Sequence, residues 1–351
     1  LFFIKDPVFA EKVIIKDENS KIFIVGDVHS SIHSIIDILK ELRDTGYFIE
    51  NTFKFKKDIY FFFLGDLVDR GPYGIEVLCL GLILKDKNPD NVFIINGNHE
   101  DEPTYDRYGL NEEIDNQFKD FGDLPNDFIK TLLFYLPSVI YLKLGDKYFH
   151  LSHGAILNKE LFDSKKTDIK KFLSDNDVKY YLIEEENNGN SLKWGDFKIE
   201  NGFKIDDYGR PQFGTDKIIE YCQELNISSL ITGHQDHENL LIQPNEKSEF
   251  YKKWKDDLGV KIGDKWIGVG PDGTMFIYCN ELPKWCNNAE YDLYSVFEEE
   301  KKTKTFNLDP TQDFHSLVTS TATITRGLLY NCYLELTFKN NLGEIIKNCN
   351  L

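Results

Sequence analysis

The chain has 351 residues, 41 % hydrophobic and 14 % aromatic, enough apolar material for a substantial core and too much for a mainly disordered protein. Its 59 acidic against 41 basic residues leave a net charge of −18. Such a surface repels nucleic acid and anionic membrane, and would repel a phosphorylated substrate unless bound cations reverse the sign locally.

In chain order, Lys21–Val25 reads as a buried strand ending at Gly26-Asp27. A helix follows, capped by Ser30 or Ser31, with Ile32, Ile35, Ile36, Leu39 and Leu42 on its apolar face and Gly46 as its stop. Ile59–Leu64 is a second strand leading into Gly65-Asp66, Gly74–Leu84 a second helix, and Val92–Ile95 a third strand leading into Asn96-Gly97-Asn98-His99. This alternation predicts right-handed βαβ units and a parallel sheet, whose functional groups gather beyond the strands' carboxyl ends.

From Glu102 to Pro137 the pattern is helical, with breaks at Pro103, Gly122 and Pro125. Val139–Leu144 and Tyr148–Ser152 form a hairpin over Gly145-Asp146, and residues 157–215 read as short helices and loops over the sheet edge. A helix at Asp216–Leu225 precedes the strand Leu230–Thr232 and Gly233-His234. Trp266–Val269 and Thr274–Tyr278 form a second hairpin, and Val318–Ile324 and Leu328–Phe338 alternate as strands. No apolar run approaches the ~20 residues of a membrane span. The six scattered cysteines (Cys79, Cys222, Cys279, Cys286, Cys332, Cys349) lack metal-ligand spacing and read as buried thiols.

Polar clusters recur at these strand ends: Gly26-Asp27-Val28-His29, Gly65-Asp66-Leu67-Val68-Asp69-Arg70-Gly71, Gly97-Asn98-His99-Glu100, His153-Gly154 and Gly233-His234. Four of the eight histidines lie in them. A single such cluster is usually a turn or a cap, but the combination predicts a two-metal site acting on a phosphate ester. Asp66 is the natural bridge between the ions; Asp27 and His29 ligate one, and Asn98, His153 and His234 the other. Carboxylate, imidazole and amide donors without thiolate favour Mn, Fe or Zn over Ca or Mg. Water bridging the ions would be acidic enough to attack phosphorus at neutral pH. His99 is placed to protonate the leaving group as general acid, and Asp69 to hold its imidazole protonated. Arg70 pairs with a nearby acid or with phosphate. His33 reads as exposed or capping, His150 as a hydrogen-bonded core residue, His237 as a loop residue near the ligands, and His315 as belonging to a tail without motif.

The ordered set GDVHS, GDLVDRG, GNHE, HGA and GHQ, spanning roughly Lys21 to Gln235, resembles the calcineurin-like metallophosphoesterases and, within them, the serine/threonine phosphoprotein phosphatases. Asp106–Gly109, Leu192–Asp196 and Arg210–Gly214 are weaker echoes. The resemblance implies an α/β fold with a central β-sandwich flanked by helices, two catalytic metals (divalent or trivalent; manganese in assay, iron or zinc as alternatives) and hydrolysis without a phosphoenzyme. It assigns Asp27, His29, Asp66, Asn98, His153 and His234 as ligands, His99 as acid and Asp69 as its partner.

The chain also departs from the pattern. Asn96 and Thr232 stand where arginines are usual, Ser30 and Ala155 replace glycines, and the loop SAPNYCG has only a loose counterpart near Tyr278–Asn288. Asn96 cannot make a guanidinium's bidentate contact. Candidate substrate contacts are therefore Arg70, Asn98, Arg107 and Arg210, with Lys284 as a further cation.

The expected organisation is a catalytic domain over residues 1–308, with insertions at 103–137 and 157–215, and a C-terminal β extension over 309–351 packed on it. The expected activity is metal-dependent hydrolysis of phosphoserine, phosphothreonine or phosphotyrosine in a phosphoprotein partner. Alternatives are a nucleotide or dinucleoside polyphosphate phosphohydrolase and a catalytically degenerate binding scaffold. No nucleic acid or membrane span is expected. The sequence opens without an initiating methionine or signal-peptide pattern and reads as a piece of a longer protein, acting in a cytoplasm or, as a secreted effector, in that of a host.

Overall fold

The computed structural model describes residues 8–17, 19–144, 147–182, 190–197 and 201–234, and the backbone of later strands at 259–262, 265–268, 302–307, 315–318, 331–337 and 342–348. Before Lys21, where sequence reading assigns no element, it has strand β1 (Val8–Ile15). Then β2 (Lys21–Val25), α1 (Ile32–Asp44), β3 (Ile59–Phe63), α2 (Gly74–Lys87) and β4 (Val92–Ile94) follow in the expected order. The strands β2, β3 and β4 pair in parallel. Ile22–Val25 and Phe61–Leu64 are shielded on both faces, which is why they read as unbroken apolar runs. The buried face of α1 carries Ile35, Ile38, Leu39 and Leu42, so Ile38 takes the place expected for Ile36. Ser31 is the N-cap by position, yet its hydroxyl pairs with Ser34 Oγ (2.7 Å) and caps no N–H.

Three helices follow, α3 (Glu102–Tyr108), α4 (Leu110–Phe118) and α5 (Leu124–Phe134). Pro103 and Pro125, expected as breaks, stand in the first turns of α3 and α5, where the missing N–H has no intrahelical partner to lose. The expected pair β5 (Val139–Leu144) and β6 (Lys147–Ser152) is antiparallel, and its turn lies outside the described residues.

The largest departure falls in 157–215. It holds a 16-residue helix, α6 (Lys159–Ser174), not short helices and loops. Its buried stripe (Leu161, Phe162, Ile169, Phe172, Leu173) is interrupted by the polar run 163–168, which hides its period in the sequence. Asn158 accepts the Leu161 N–H (2.8 Å) at its start. At its end the buried Lys12 ammonium of β1 donates to the carbonyls of Phe172 and Asp175, where the helix dipole favours a cation. Beyond it come β7 (Tyr180–Leu182), α7 (Asn190–Trp194), a small sheet of β8 (Asp196–Phe197), β9 (Phe203–Ile205) and β10 (Pro211–Phe213), then α8 (Thr215–Leu225) and β11 (Ile227–Thr232).

The later strands are β12 (Gly259–Ile262), β13 (Lys265–Gly268), β14 (Lys302–Asn307), β15 (His315–Val318), β16 (Asn331–Thr337) and β17 (Leu342–Asn348). The strand expected at Trp266–Val269 is β13, and it pairs with β12 ahead of it; Thr274–Tyr278 lies outside the described residues. Of the strand expected at Val318–Ile324 only Val318 is described, as the last residue of β15; residues 319–330 lie outside the described residues.

Two six-stranded sheets run β15-β11-β6-β5-β1-β7 and β14-β17-β16-β2-β3-β4. Strands of the last 50 residues thus enter both sheets, β15 beside β11 and β16 beside β2. Alternate side chains explain the layering. Ile140, Leu142, Leu151 and Ile231 of one sheet meet Ile22, Ile24, Phe62 and Leu64 of the other in a shared core. The outward neighbours Phe23, Val25, Phe61 and Phe63 pack under α1 and α2. Val139, Tyr141 and Leu230 pack with residues of α6 and α8 on the far side. The result is a β-sandwich with helices outside each sheet, the expected α/β architecture. No helix among the described residues is long and apolar enough to cross a membrane.

Candidate metal centre

All five polar clusters meet where the carboxyl ends of β2, β3, β4, β6 and β11 converge. The backbone there is strained. Of eight non-glycine residues with positive φ among those described, His29 (44°), Ser30 (61°), Asp66 (50°), Asp69 (69°), Arg70 (63°) and His234 (66°) belong to the clusters. L side chains disfavour this region by roughly 1–2 kcal/mol each, so other contacts must hold it. The Val28 and His29 N–H groups both donate to the Asp66 carbonyl (2.9 and 2.8 Å), and Ser30 Oγ donates to the Asp69 carbonyl (3.0 Å). Ser30, one of the two residues that replace glycine, therefore does sit where glycine would be easier. Glycine is required at two close approaches: a Cβ on Gly97 would lie 2.3 Å from Asp66 Oδ1, and one on Gly233 2.4 Å from Asp27 Oδ1.

Buried Glu100, which sequence reasoning quotes but gives no role, secures the same turns. Its Oε2 accepts the N–H of Asp66 (2.8 Å) and of Gly97 (2.7 Å), and its Oε1 that of Leu67 (2.8 Å). Burial pushes its carboxyl up to about 7, although three donors favour the charged form.

Asp27, His29, Asp66, Asn98 and His153 are all buried. Two donor groups, His29–Asp66–His99 and Asp27–Asp66–His153, each have ligand atoms within 4.8 Å of one another, and they share Asp66. Asp66 Oδ1 faces His153 Nε2 (3.2 Å), while Oδ2 faces His29 Nε2 (3.6 Å) and His99 Nε2 (3.9 Å). Asp27 stands between the groups, 3.8 Å from His153 Nδ1 and 4.0 Å from His29 Nε2. Asn98 Oδ1 lies 2.9 Å from His153 Nε2 and 2.7 Å from His234 Nδ1.

The donor chemistry fits cations. His153 Nδ1 donates to the Leu64 carbonyl (2.8 Å) and His29 Nδ1 to that of Val68 (3.2 Å), which turns both Nε2 lone pairs toward the carboxylates. Around His153 Nε2 gather two acceptor oxygens, Asp66 Oδ1 and Asn98 Oδ1. Burial opposes a charge on His153, yet Asp66, Asp27 and Glu100 outweigh it and hold its imidazole up to about 9. A place where a proton is gripped this firmly is one that calls for positive charge. Burial holds His29 and His234 well below the usual imidazole range, keeping their lone pairs available.

At the rim, His99 Nδ1 donates to Asp69 Oδ2 (2.7 Å), and Asp69 Oδ1 accepts the Leu110 N–H (2.9 Å). Arg70 Nη2 lies 3.1 Å from His99 Nε2, so the arginine turns to the imidazole and, among the described residues, to no acid. The Arg210 guanidinium contacts a different histidine, at His234 Nε2, and pairs with Asp196 Oδ1 (3.0 Å). Arg107 is exposed on α3 and, among the described residues, joins none of these contacts. Asn96 and Thr232 do not substitute for the missing arginines. Both are buried; Asn96 Nδ2 donates to the Leu133 carbonyl (3.2 Å), and Asn96 Oδ1 and Thr232 Oγ1 have no hydrogen-bond partner among the described residues. Gln235, His237, Lys284 and the segment Tyr278–Asn288 lie outside the described residues. His33 is exposed, in edge contact with Tyr73 (5.7 Å), and His150 is a buried, hydrogen-bonded core residue as expected.

Residues 20–238 match the family model for calcineurin-like phosphoesterases. Over 221 residues the chain is 30 % identical to the serine/threonine-protein phosphatase PP2A-like PPG1 of Candida albicans, covering 62 % of this chain and 47 % of that protein. Over 112 residues it is 36 % identical to the phosphatase PP1-delta of Caenorhabditis elegans, covering 32 % of this chain and 33 % of that one. The chain thus spans less than half the length of these curated relatives. A protein serine/threonine phosphatase from Saccharomyces cerevisiae, described as similar to human phosphatase PP5, shares the fold at a TM-score of 0.58 and 15 % identity, over 97 % of this chain and 84 % of that one.

Proposed function

The chain belongs to the calcineurin-like phosphoesterase family, and we propose that it is a metal-dependent phosphoprotein phosphatase, cleaving phosphate monoesters of serine, threonine or tyrosine with two cations bound around Asp66. The observation that carries this reading is the pair of donor groups sharing Asp66, with the Asp69–His99 pair beside them. Asp27, His29, Asp66, Asn98, His153 and His234 would hold manganese, iron or zinc, which when bound acidify water and offset the charge of the phosphate.

The chain's own groups account for the rest. Asp69 engages His99 Nδ1 and orients the ring, so that Nε2 is the atom that can carry a proton to the ester. Once Arg70 has turned from His99 Nε2 to the phosphate, that nitrogen can take up a proton. As the new bond forms from a water oxygen to phosphorus and the P–O ester bond breaks, the leaving oxygen takes the His99 Nε2 proton and departs as an alcohol. The proton shed by the water passes to solvent, which recharges His99 for the next turnover. Arg70 on His99 and Arg210 on His234 are the guanidinium donors for the phosphate oxygens, each free to exchange its imidazole contact for a charge-assisted bond to substrate.

The test is phosphate release from phosphoserine, phosphothreonine and phosphotyrosine peptides by protein loaded with Mn. Turnover of at least one class is expected. No turnover with metal content verified, or a clear preference for a dinucleoside polyphosphate, overturns the reading.

A further inference from the structure

Beneath the metal centre runs a buried polar chain that the reaction does not use. Tyr141 OH on β5 lies 2.8 Å from Tyr221 OH on α8, and Tyr221 OH lies 3.1 Å from His150 Nδ1 on β6. His150 Nε2 lies 2.9 Å from Ser152 Oγ, which in turn reaches the carbonyls of Gly154 (3.0 Å) and Ala155 (2.9 Å). All four side chains belong to residues no more than 2 % exposed.

The proton order along this chain has one solution. The Gly154 and Ala155 carbonyls only accept, so the Ser152 hydroxyl proton points to them. Ser152 Oγ must then accept from His150 Nε2–H. A neutral imidazole protonated at Nε2 has a bare Nδ1, which accepts the Tyr221 hydroxyl proton; Tyr221 accepts from Tyr141 in turn. Burial keeps His150 neutral, pushing it down to about 3 against a small opposing pull from the Ala155 carbonyl. The chain ends on the turn that carries His153. The N–H of Ala155 is held from the other side by the Ser191 carbonyl (3.1 Å), and the His153 carbonyl accepts the Gly233 N–H (2.9 Å).

We infer that Tyr141, Tyr221, His150 and Ser152 are positioning residues that lock the His153–Ala155 turn and so set the His153 imidazole for metal binding. Because α8 leads directly into β11, and β11 pairs with β6, the same tyrosine anchors the helix ahead of His234 to the strand ahead of His153. The inference rests on the metal reading above, and its test separates the two.

Nitrogen-15 NMR of the metal-free protein at pH 6 is expected to find His150 neutral and protonated at Nε2; a protonated ring or the Nδ1–H form overturns the inference without reference to metal. Mn affinity is then measured by calorimetric titration. Tyr221→Phe is expected to weaken it about 10-fold, the lower end for groups that orient a ligand, and Ser152→Ala comparably. The double variant should be no weaker than Ser152→Ala alone, since both act through one turn. Ile218→Val, in the same core without a polar atom, is expected to bind like wild type, which a general loosening of the fold would not give. Tyr221→Phe binding within twofold of wild type, or a double variant with fully additive losses, overturns the positioning role. A wild-type protein that binds no Mn overturns the metal reading and this inference with it.

Discussion

Glu100→Gln changes one atom and should loosen the turns that carry Asp66 and Gly97, with little net change in global stability. The carboxylate accepts three buried N–H groups, from Asp66 and Gly97 on one oxygen and Leu67 on the other. In its better orientation a glutamine keeps the first two bonds through its oxygen but turns an NH₂ against the Leu67 N–H. One buried donor then has no acceptor, at about 1–3 kcal/mol, and two charge-assisted bonds become neutral ones, at roughly 0.5 kcal/mol each or more. These losses come to about 3 kcal/mol. Against them, the neutral amide removes the buried charge that raises the carboxyl to about 7, which offsets a similar amount at pH 8, so urea unfolding of the metal-free protein should change little. Asp66 stands at φ 50° partly because of these bonds, so Mn affinity, read by calorimetric titration, should fall by about 10-fold. Mn affinity within twofold of wild type would refute the view that Glu100 holds the Asp66 and Gly97 turns.

His99→Asn should lower kcat by roughly 10²–10⁴ while leaving metal content unchanged, and near wild-type turnover would contradict its acid role. Asp66→Asn removes the group shared by both donor sets; metal analysis after dialysis should show it depleted, and full occupancy would count against the bridge. Arg70→Ala and Arg210→Ala should each weaken kcat/KM on phosphopeptides by about 10-fold or more, whereas exposed Arg107→Ala should stay within twofold; equal losses in all three would remove the distinction drawn from their contacts. His150 is held at about 3 when folded, against an ordinary 6.5. The unfolded chain therefore binds the extra proton first, and stability present above pH 6.5 is lost progressively as pH falls toward 3, by at most about 5 kcal/mol. Replacing it in His150→Phe should flatten the acid limb of a stability–pH curve; an unchanged slope would show that His150 is not the group being charged.

Much of the site was legible because its residues sit at strand ends, where local rules apply. Buried parallel strands such as Phe61–Leu64 announce themselves as apolar runs, and a polar cluster immediately after each one has few local explanations. Strand β1 and helix α6 escaped for the opposite reason. Glu11 and Lys12 interrupt the first and residues 163–168 the second, and both become intelligible only when Lys12 is seen closing the helix end. Pro103 and Pro125 were legible as punctuation but not as helix starts, because the first turn of a helix and a break look alike without the partner that α3 or α5 packs against.

The amino-acid sequence by itself determined which donor residues follow which strands, their order and the family they mark, since these depend on local runs and the polar clusters that end them. Tertiary structure alone decided how the donors are shared. Asp66 faces two sets of histidines, Asn96 turns away toward Leu133, and Arg70 and Arg210 each contact a different histidine. It also assembled the Tyr141–Tyr221–His150–Ser152 chain from residues 71 and 80 positions apart. Such contacts leave no periodic trace, because the force that brings them together is burial of the two sheets and their helices, and hydrogen bonds form between whichever polar groups that burial encloses.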